Sequence, residues 1–551
     1  MSNKELARHL RLLSALMELH EENPFKIKSV QNAAFQIDRS QVALRELDEA
    51  GILALPGVGK SIATKIIQLL AGNTDPELDA LLQKTPVGVV EMLGIKGIGP
   101  KKVAQLWKEL EIESPGELLY ACNENRLIEL KGFGAKTQDL IKSALEFRFS
   151  NSGKMLFADS DYQASLFEDH LRTYFPQARI ERTGALRREE NVVDRLSFLM
   201  ATLPPDWKKT LAESGFSIND GLTPMEVNSA EGLVFYLYLC TGENWGLEQI
   251  RQTGPEAFVE SLLSTGNLPT EVSSEEAVFA TLKQPYINPA LRNWPLEKAL
   301  ELSAKPLADL SDIRGILHNH STWSDGADTL KTMADTCKAM GMAYFGICDH
   351  SKSAFYAGGL SAERVLAQHK EIDELNKAYS ADEFRIFKGI ESDILNDGSL
   401  DYPDEILQQF DFIVASVHSV LRMDEQRATA RLIKAIENPY TTILGHPSGR
   451  LLLSRAAYPL DYPKIIDACA ANKVAIELNA NPYRLDIDWQ WIPLCMEKGV
   501  MISVNPDAHR KEGLTDIAFG MKAARKGGLK PEFLLNGLEL KDFTKYLQLK
   551  K

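Results

Sequence analysis

A chain of 551 residues is long enough for several separately cored domains, and a formal charge of −14 argues against a protein that simply coats nucleic acid. The charge divides unevenly, about −1 over residues 1–150, about −9 over 151–310 and about −4 beyond, so the acidity lies in the middle. Six scattered cysteines without a C-x-x-C pair point to reduced thiols, and no apolar run suits a signal peptide or a membrane span, which predicts a cytoplasmic, nucleoid-associated protein.

Over residues 1–150, helical periodicity at 5–19, 61–70 and 101–110 alternates with glycine turns. Three turns share an apolar-x-G-apolar-G pattern that opens a helix: Leu55-Pro56-Gly57-Val58-Gly59-Lys60, Ile95-Lys96-Gly97-Ile98-Gly99-Pro100 and Leu130-Lys131-Gly132-Phe133-Gly134-Ala135-Lys136. Such glycines permit a tight turn and leave N–H groups at a helix N-terminus, where a phosphate can sit. This is the helix-hairpin-helix motif, which grips the DNA backbone without reading sequence. The candidate DNA-binding residues are Gly57, Gly59, Lys60, Gly97, Gly99, Lys101, Gly132, Gly134 and Lys136. Gly59-Lys60-Ser61 also ends like a P-loop, but the loop's first glycine falls on Ala54, which excludes that reading.

With these hairpins the chain resembles the amino-terminal part of a family X DNA polymerase. The resemblance implies a lyase-like helical domain at 1–80 and a fingers region with two hairpins at 85–150. Lys65 occupies the place of the family's Schiff-base lysine. The alternative is a phosphate-contacting or solvated lysine.

Residues 151–234 resemble the family's palm, from Met155-Leu156-Phe157-Ala158 through Arg179-Ile180-Glu181-Arg182-Thr183-Gly184-Ala185-Leu186-Arg187-Arg188. Residues 235–305, with Tyr238-Leu239-Cys240-Thr241-Gly242 and Tyr286-Ile287-Asn288-Pro289, resemble its thumb. An active palm needs three carboxylates around two Mg²⁺, two of them in a D-x-D. Matched to that pattern, Asp194 is the one carboxylate kept, Leu196 replaces the second, Asn228 replaces the third, and Ala185 replaces a triphosphate-contacting serine. The palm is read as having lost polymerase activity.

Beyond residue 311, seven β-type runs recur at 313–317, 344–348, 385–390, 412–417, 442–444, 474–478 and 500–504, separated by helical stretches. Their C-terminal ends deliver His318 and His320, His350, Glu391, His418, His446, Glu477 with Asn479, and Asp507 with His509. Repeated βα units whose polar residues collect at strand ends argue for a parallel barrel. Six of the ten histidines lie at these ends, and Asp325 follows His320 by five residues. Imidazoles and carboxylates in such number suit two or three divalent transition ions, Mn²⁺ or Zn²⁺ with Fe²⁺ a further candidate. His369, on a helical stretch, is read as structural or solvated.

His318-x-His320, Asp349-His350-Ser351, Gly389-Ile390-Glu391, residues 416–419, Gly445-His446-Pro447 and Asp507-Ala508-His509 resemble the PHP (polymerase and histidinol phosphatase) domain, in the version carried by bacterial family X polymerases. The resemblance implies a distorted (βα)₇ barrel over 311–551 with a trinuclear site. One ion takes His318, His320, Glu391 and Asp507, a second shares Glu391 and adds His418 and His446, and the third takes Asp325, His350 and His509. It implies phosphodiester hydrolysis by a metal-activated water, with Arg450 and Arg484 as phosphate holders or, alternatively, surface ion-pair partners.

The expected fold is therefore multidomain: a helical hairpin region, an α+β palm and thumb, and the barrel. The expected function is a metal-dependent 3′-to-5′ exonuclease or 3′-end phosphodiesterase in DNA repair, with abasic-site cleavage as an extra activity. It would act as a monomer on gapped, nicked or 3′-recessed duplex. The alternatives are a gap-filling polymerase with a proofreading barrel, a small-molecule phosphatase of histidinol-phosphate type, and a non-catalytic scaffold.

Overall fold

The computed structural model describes residues 1–548 except Gln41, Lys96, Glu124, Asn125, Glu129, Asn151 and residues 268–270, so Lys96 of the second hairpin lies outside the described residues. Two compact units divide the chain, Met1–Ser152 and Gly153–Lys551. Among the described residues, no helix is long and apolar enough to cross a membrane.

The first unit is helical. Ser2 and Glu5 form a capping box at the start of Asn3–Leu19, whose Leu6, Leu10, Leu13 and Met17 lie three or four residues apart and are fully buried. One apolar core continues from Leu6 to Leu145, so the regions expected at 1–80 and 85–150 share a single core. The glycine turns open the helices Lys60–Leu70, Pro100–Leu110 and Ala135–Ser150. Their first glycines, Gly57, Gly97 and Gly132, take φ of +76°, +102° and +88°, a region that an L side chain enters only under strain. The apolar residues between the paired glycines, Val58, Ile98 and Phe133, are buried and hold each turn to the core.

The second unit begins with β1 (Met155–Leu156) and the helix Phe157–Tyr174. Then come β2 (Arg179–Arg182), β3 (Val192–Val193), β4 (Leu196–Ala201), β5 (Ser217–Asn219), β6 (Met225–Asn228) and β7 (Val234–Leu239). β1 pairs with β3, and the other five form a sheet in the order β2-β4-β7-β6-β5. Helices Trp245–Thr253, Glu256–Leu263, Glu275–Thr281 and Leu296–Ser303 follow, with Ile250, Phe258, Leu262, Val278 and Phe279 in their core.

The remaining strands are β8 (Gly315–Ile316), β9 (Tyr344–Ile347), β10 (Arg385–Asp393), β11 (Phe412–Ser416), β12 (Ile443–Leu444), β13 (Ala475–Asn479) and β14 (Ile502–Asn505). They hydrogen-bond in sequence order and all pairs are parallel. Both faces are covered, which is why these strands read as continuous apolar runs. A parallel bridge between Asn319 and Ala508 brings the ends of β8 and β14 together, giving a nearly closed seven-stranded barrel. At the N-terminal end of the strands, Phe543 of the last helix stacks on Tyr344 at 4.8 Å. The C-terminal ends are left to carry polar side chains.

Candidate metal centre

Side chains from all seven barrel strands meet around Glu391, which stands inside β10 and is 1% exposed. Its Oε1 lies 3.4 Å from His318 Nε2, 3.1 Å from His418 Nε2 and 3.0 Å from His446 Nε2. Its Oε2 lies 2.9 Å from His350 Nδ1 and 3.6 Å from His320 Nε2. Asp507 Oδ1 is 3.0 Å from His320 Nε2 and 3.6 Å from His318 Nε2. Asp325 Oδ2 is 3.6 Å from His350 Nε2 and 3.5 Å from His509 Nε2. All nine residues named from the sequence are thus drawn together.

Their donor atoms form three overlapping groups: His318, His320 and Asp507; His320, Asp325, His350 and His509; and His350, Glu391 and His418. In the third group His350 takes the place that the resemblance gives to His446. The residues fit a metal cluster by a further sign. His318 Nε2, His320 Nδ1, His350 Nδ1 and Glu391 Oε2 are buried and make no well-aligned hydrogen bond, although His350 Nδ1 and Glu391 Oε2 lie 2.9 Å apart, a crowding of donor atoms that a divalent cation would relieve. Burial, aided by His509 and His350, pushes the His320 imidazole down to about 3, so it stays neutral with a lone pair to give. Burial raises the Asp325 carboxyl, but the His509 hydrogen bond and the nearby His320 and His350 outweigh it and hold it at about 2.

Three carboxylates that the sequence left without a role hold this cluster in shape. Glu477 Oε1 accepts from His318 Nδ1 at 2.7 Å and Asn505 Nδ2 at 2.9 Å, while its Oε2 accepts from the His446 N–H at 2.8 Å. Asp393 meets His418 Nδ1 at 2.5 Å. Asp349 accepts from the N–H and hydroxyl of both Ser321 and Ser324 and from Gln368, fixing the loop that carries Asp325. A carboxylate on Nδ1 sets the tautomer and directs Nε2 inward. The signal available in the sequence was period two: Asp393 follows Glu391, and Glu477 precedes Asn479, on one face of a strand.

Backbone strain collects at the same mouth. His446, Val420, Leu453, Leu485 and Asp507 have φ of 20°, 54°, 58°, 43° and 54°. β-Branched and bulky residues adopt such angles only where the surroundings enforce them.

The two candidate phosphate holders separate. Arg484 Nε lies 3.6 Å from Asp507 Oδ2, at the cluster. Arg450 instead donates to the carbonyls of Arg484 and Leu485 and pairs with Asp488 at 2.6 Å. Its guanidinium pins the loop that presents Arg484, which corrects its reading as a phosphate holder.

In the hairpin unit, a Cβ built on Gly59, Gly97, Gly99, Gly132 or Gly134 meets nothing within 4 Å, so the protein's own packing does not demand glycine there. Gly97 and Gly132 are instead required by their positive φ, and the open space beside Gly59, Gly99 and Gly134 leaves their N–H groups accessible. Lys60, Lys101 and Lys136 are exposed beside these turns. Lys65 is not: it pairs with Asp75, the buried cap of helix Pro76–Gln83, and lies 3.4 Å from Glu77. The geometry favours a structural lysine over a Schiff-base nucleophile.

The palm positions need a correction. Leu196 points into the core with Val227 and Phe235, on the opposite face of β4 from Ser197. Facing Gly184 is Ser197, whose Cβ and Oγ lie 3.9 Å from a Cβ built there. Ser197 aligns across Tyr236 with Glu226, and Arg195, two residues before Ser197, lies over the Tyr236 ring at 5.2 Å. The face thus presents Arg195, Ser197, Tyr236, Glu226 and Asn228, with one carboxylate that sequence reading missed. Asp194 is exposed just before β4, one residue off this row. One residue of slip changes which face a strand residue occupies.

Family models for a helix-hairpin-helix domain match residues 1–75, for a SAM-like helix-hairpin-helix tandem residues 89–146, and for a PHP domain residues 317–481. The fold and the cluster therefore define a helix-hairpin-helix protein with a PHP barrel. Asp507 and His509 lie beyond the matched segment, and β14 returns them to it. The chain is 33% identical over 572 aligned residues to the "DNA polymerase/3'-5' exonuclease PolX" of Bacillus subtilis (strain 168), with both chains covered in full. It belongs to the PolX family. The barrel region is also similar to smaller proteins. One is a "probable phosphatase" of Acetivibrio thermocellus, 27% identical over 42% of this chain and 95% of that protein. Another, of Thermoanaerobacter sp. (strain X514), is 31% identical over 30% of this chain and 69% of that protein.

Proposed function

We propose that this protein is a DNA-bound, metal-dependent 3′-to-5′ exonuclease or 3′-end phosphodiesterase whose working centre is the barrel. The observation that carries the reading is the convergence of five imidazoles on Glu391, with His509, Asp325 and Asp507 beside them and buried donor atoms that make no hydrogen bond. Mn²⁺ or Zn²⁺ ions held by His318, His320, Asp325, His350, Glu391, His418, His446, Asp507 and His509 would supply an activated water and stabilise a leaving oxygen. The chain's own part is positional. Glu477 and Asp393 orient His318 and His418, Asp349 fixes the Asp325 loop, and Arg484 holds the phosphate beside Asp507. The glycine turns take the DNA backbone of gapped, nicked or 3′-recessed duplex, weakly enough to be salt-sensitive. The protein acts as a cytoplasmic monomer.

Loss of polymerase activity is part of this proposal. A single carboxylate, Glu226, on a row that also carries Arg195 does not hold two Mg²⁺. The arginines of the Gly184 turn are also committed. Arg187 bonds both oxygens of Glu275, at 2.7 and 2.8 Å, and Arg188 bonds Asn293 and the carbonyl of Thr253.

The test is Mn²⁺-dependent digestion of primed DNA, with and without dNTPs, by the wild type and His320→Ala. Digestion by the wild type alone is expected. Extension in the presence of dNTPs would reinstate the polymerase, and hydrolysis confined to small phosphomonoesters would favour the phosphatase reading.

A further inference from the structure

A palm without its chemistry raises the question of what the scaffold does. Its Gly184 turn ends in residues 188–190, and there two features have no explanation within the palm. Glu189 adopts φ of 55°, the left-handed region disfavoured for its side chain, and its Oε2 is closed off from solvent without a hydrogen-bond partner. Burial raises its carboxyl, while Arg525, Lys522 and Lys526 act to lower it. All three cations belong to one barrel helix, Ile517–Lys526.

The end of that helix is built around Lys526, whose side chain is 0% exposed. Its Nζ donates to Asn293 Oδ1 at 2.7 Å and to the Arg188 carbonyl at 3.2 Å, and lies 3.2 Å from Glu190 Oε2. Its ammonium also lies 4.8 Å from the Trp489 ring. Trp294 Nε1 donates to the Lys526 carbonyl at 2.9 Å and packs edge-on against Trp489. One turn earlier, Lys522 lies 4.6 Å over the Phe157 ring and 3.5 Å from Asp161, and Phe519 meets Phe157 edge-on. One buried ammonium therefore joins palm, thumb and barrel, and burial pulls it down to about 8. The same helix lies close against the site strand. A Cβ on Gly520 would fall 2.4 Å from Ala480 Cβ and 2.6 Å from Val504 Cγ1, in β14, which leads to Asp507 and His509.

We propose that the palm serves as the mount of the barrel: its 188–190 turn grips the helix Ile517–Lys526, with Lys526 as the pin. Glu190 pairs with Lys526, Glu189 lies buried in the field of the helix cations, and Arg188 is drawn onto Asn293, the acceptor it shares with Lys526. A turn so occupied has no free arginine for a triphosphate. The palm is retained because removing it would uncover the Lys526 end of a helix that supports the metal strand.

The test is amide hydrogen exchange on the full chain, which reads docking without reference to catalysis. The amides of Arg188, Glu189 and Glu190 bond to Gly184, Leu186 and Ala185, so their exchange reports opening of the turn. Lys526→Met should accelerate exchange in the turn and the helix together by about 10- to 100-fold, the size expected for losing charged hydrogen bonds. Glu190→Gln, at a side chain 18% exposed, should move both segments by about three- to tenfold and carries the test if Lys526→Met does not fold. Unchanged exchange, or acceleration in the helix with a silent turn, overturns the proposal. Failure of the exonuclease reading would appear in digestion assays and leave these rates unaffected.

Discussion

Glu477→Gln is the most direct perturbation of the metal centre that leaves every ligand in place. Glu477 is fully buried, and both of its oxygens accept: Oε1 from His318 Nδ1 at 2.7 Å and Asn505 at 2.9 Å, Oε2 from the His446 N–H at 2.8 Å and Asn479 at 3.3 Å. A glutamine keeps one oxygen and turns an NH₂ toward the other pair of donors. If the amide faces the Oε1 side, His318 must change tautomer or rotate. If it faces the Oε2 side, the His446 N–H is left buried and unpaired. Either arrangement costs about 1–3 kcal/mol locally. Carboxylates that hydrogen-bond the far nitrogen of a metal-bound imidazole are worth about 10- to 100-fold in affinity, or about 1.4–2.8 kcal/mol. We therefore expect the dissociation constant for Mn²⁺, measured by titration calorimetry on the full chain, to rise by that factor, with unchanged far-ultraviolet dichroism. Glutamine is nearly isosteric with glutamate, so a cavity does not contribute. A Mn²⁺ affinity within twofold of the wild type would falsify the argument that Glu477 orients the ligands.

Other outcomes follow from the same geometry. Arg484→Ala should raise KM for primed DNA by about tenfold with little change in melting temperature. Arg450→Ala should lower the melting temperature first, because it frees the 484–485 loop, and Michaelis kinetics beside thermal melts separate the two. Glu275→Gln breaks a buried pair with Arg187 and Arg292 and should destabilise by about 3–5 kcal/mol in urea titrations. The same carboxyl is held at about 2 when folded, against 4.5 for the free group: burial opposes ionisation, but the two arginines outweigh it. Its contribution is present above pH 4.5 and is lost as pH falls toward 2, a total swing of about 3 kcal/mol, of which urea midpoints at pH 6 and pH 3 should register about 2 kcal/mol beyond that of Glu275→Gln. Lys65→Ala should destabilise the hairpin unit without abolishing cleavage of abasic-site DNA, and borohydride trapping of Lys65 on such DNA would contradict its structural role.

Much of the site was legible because its signals are local. The three glycine turns repeat one short pattern of paired glycines about a buried apolar residue. The barrel strands announce themselves as apolar runs, since both faces are covered, and the change from apolar to polar at each C-terminal end marks where the ligands stand. All nine candidate ligand positions could therefore be named before any contact between them was known. Helix bounds also came through closely: the 61–70 and 101–110 periodicities correspond to Lys60–Leu70 and Pro100–Leu110.

The remainder depended on partners far apart in the chain. Glu477 and His318 are 159 residues apart, and Lys526 is 338 from Arg188, so no window of sequence contains either pair. Arg450 and Arg484 look alike as isolated cations; only the fold turns one onto carbonyls and Asp488 and the other toward Asp507. The palm row is the sharpest case. Motif matching placed Leu196 in it, yet pairing with β7 sends Leu196 into the core and brings Ser197 and Glu226 to the face. Sequence alone determined which residue types stand at which strand ends, because backbone periodicity and burial are written locally. Tertiary structure alone decided which of them meet, because register, side-chain direction and charge pairing are properties of two segments at once.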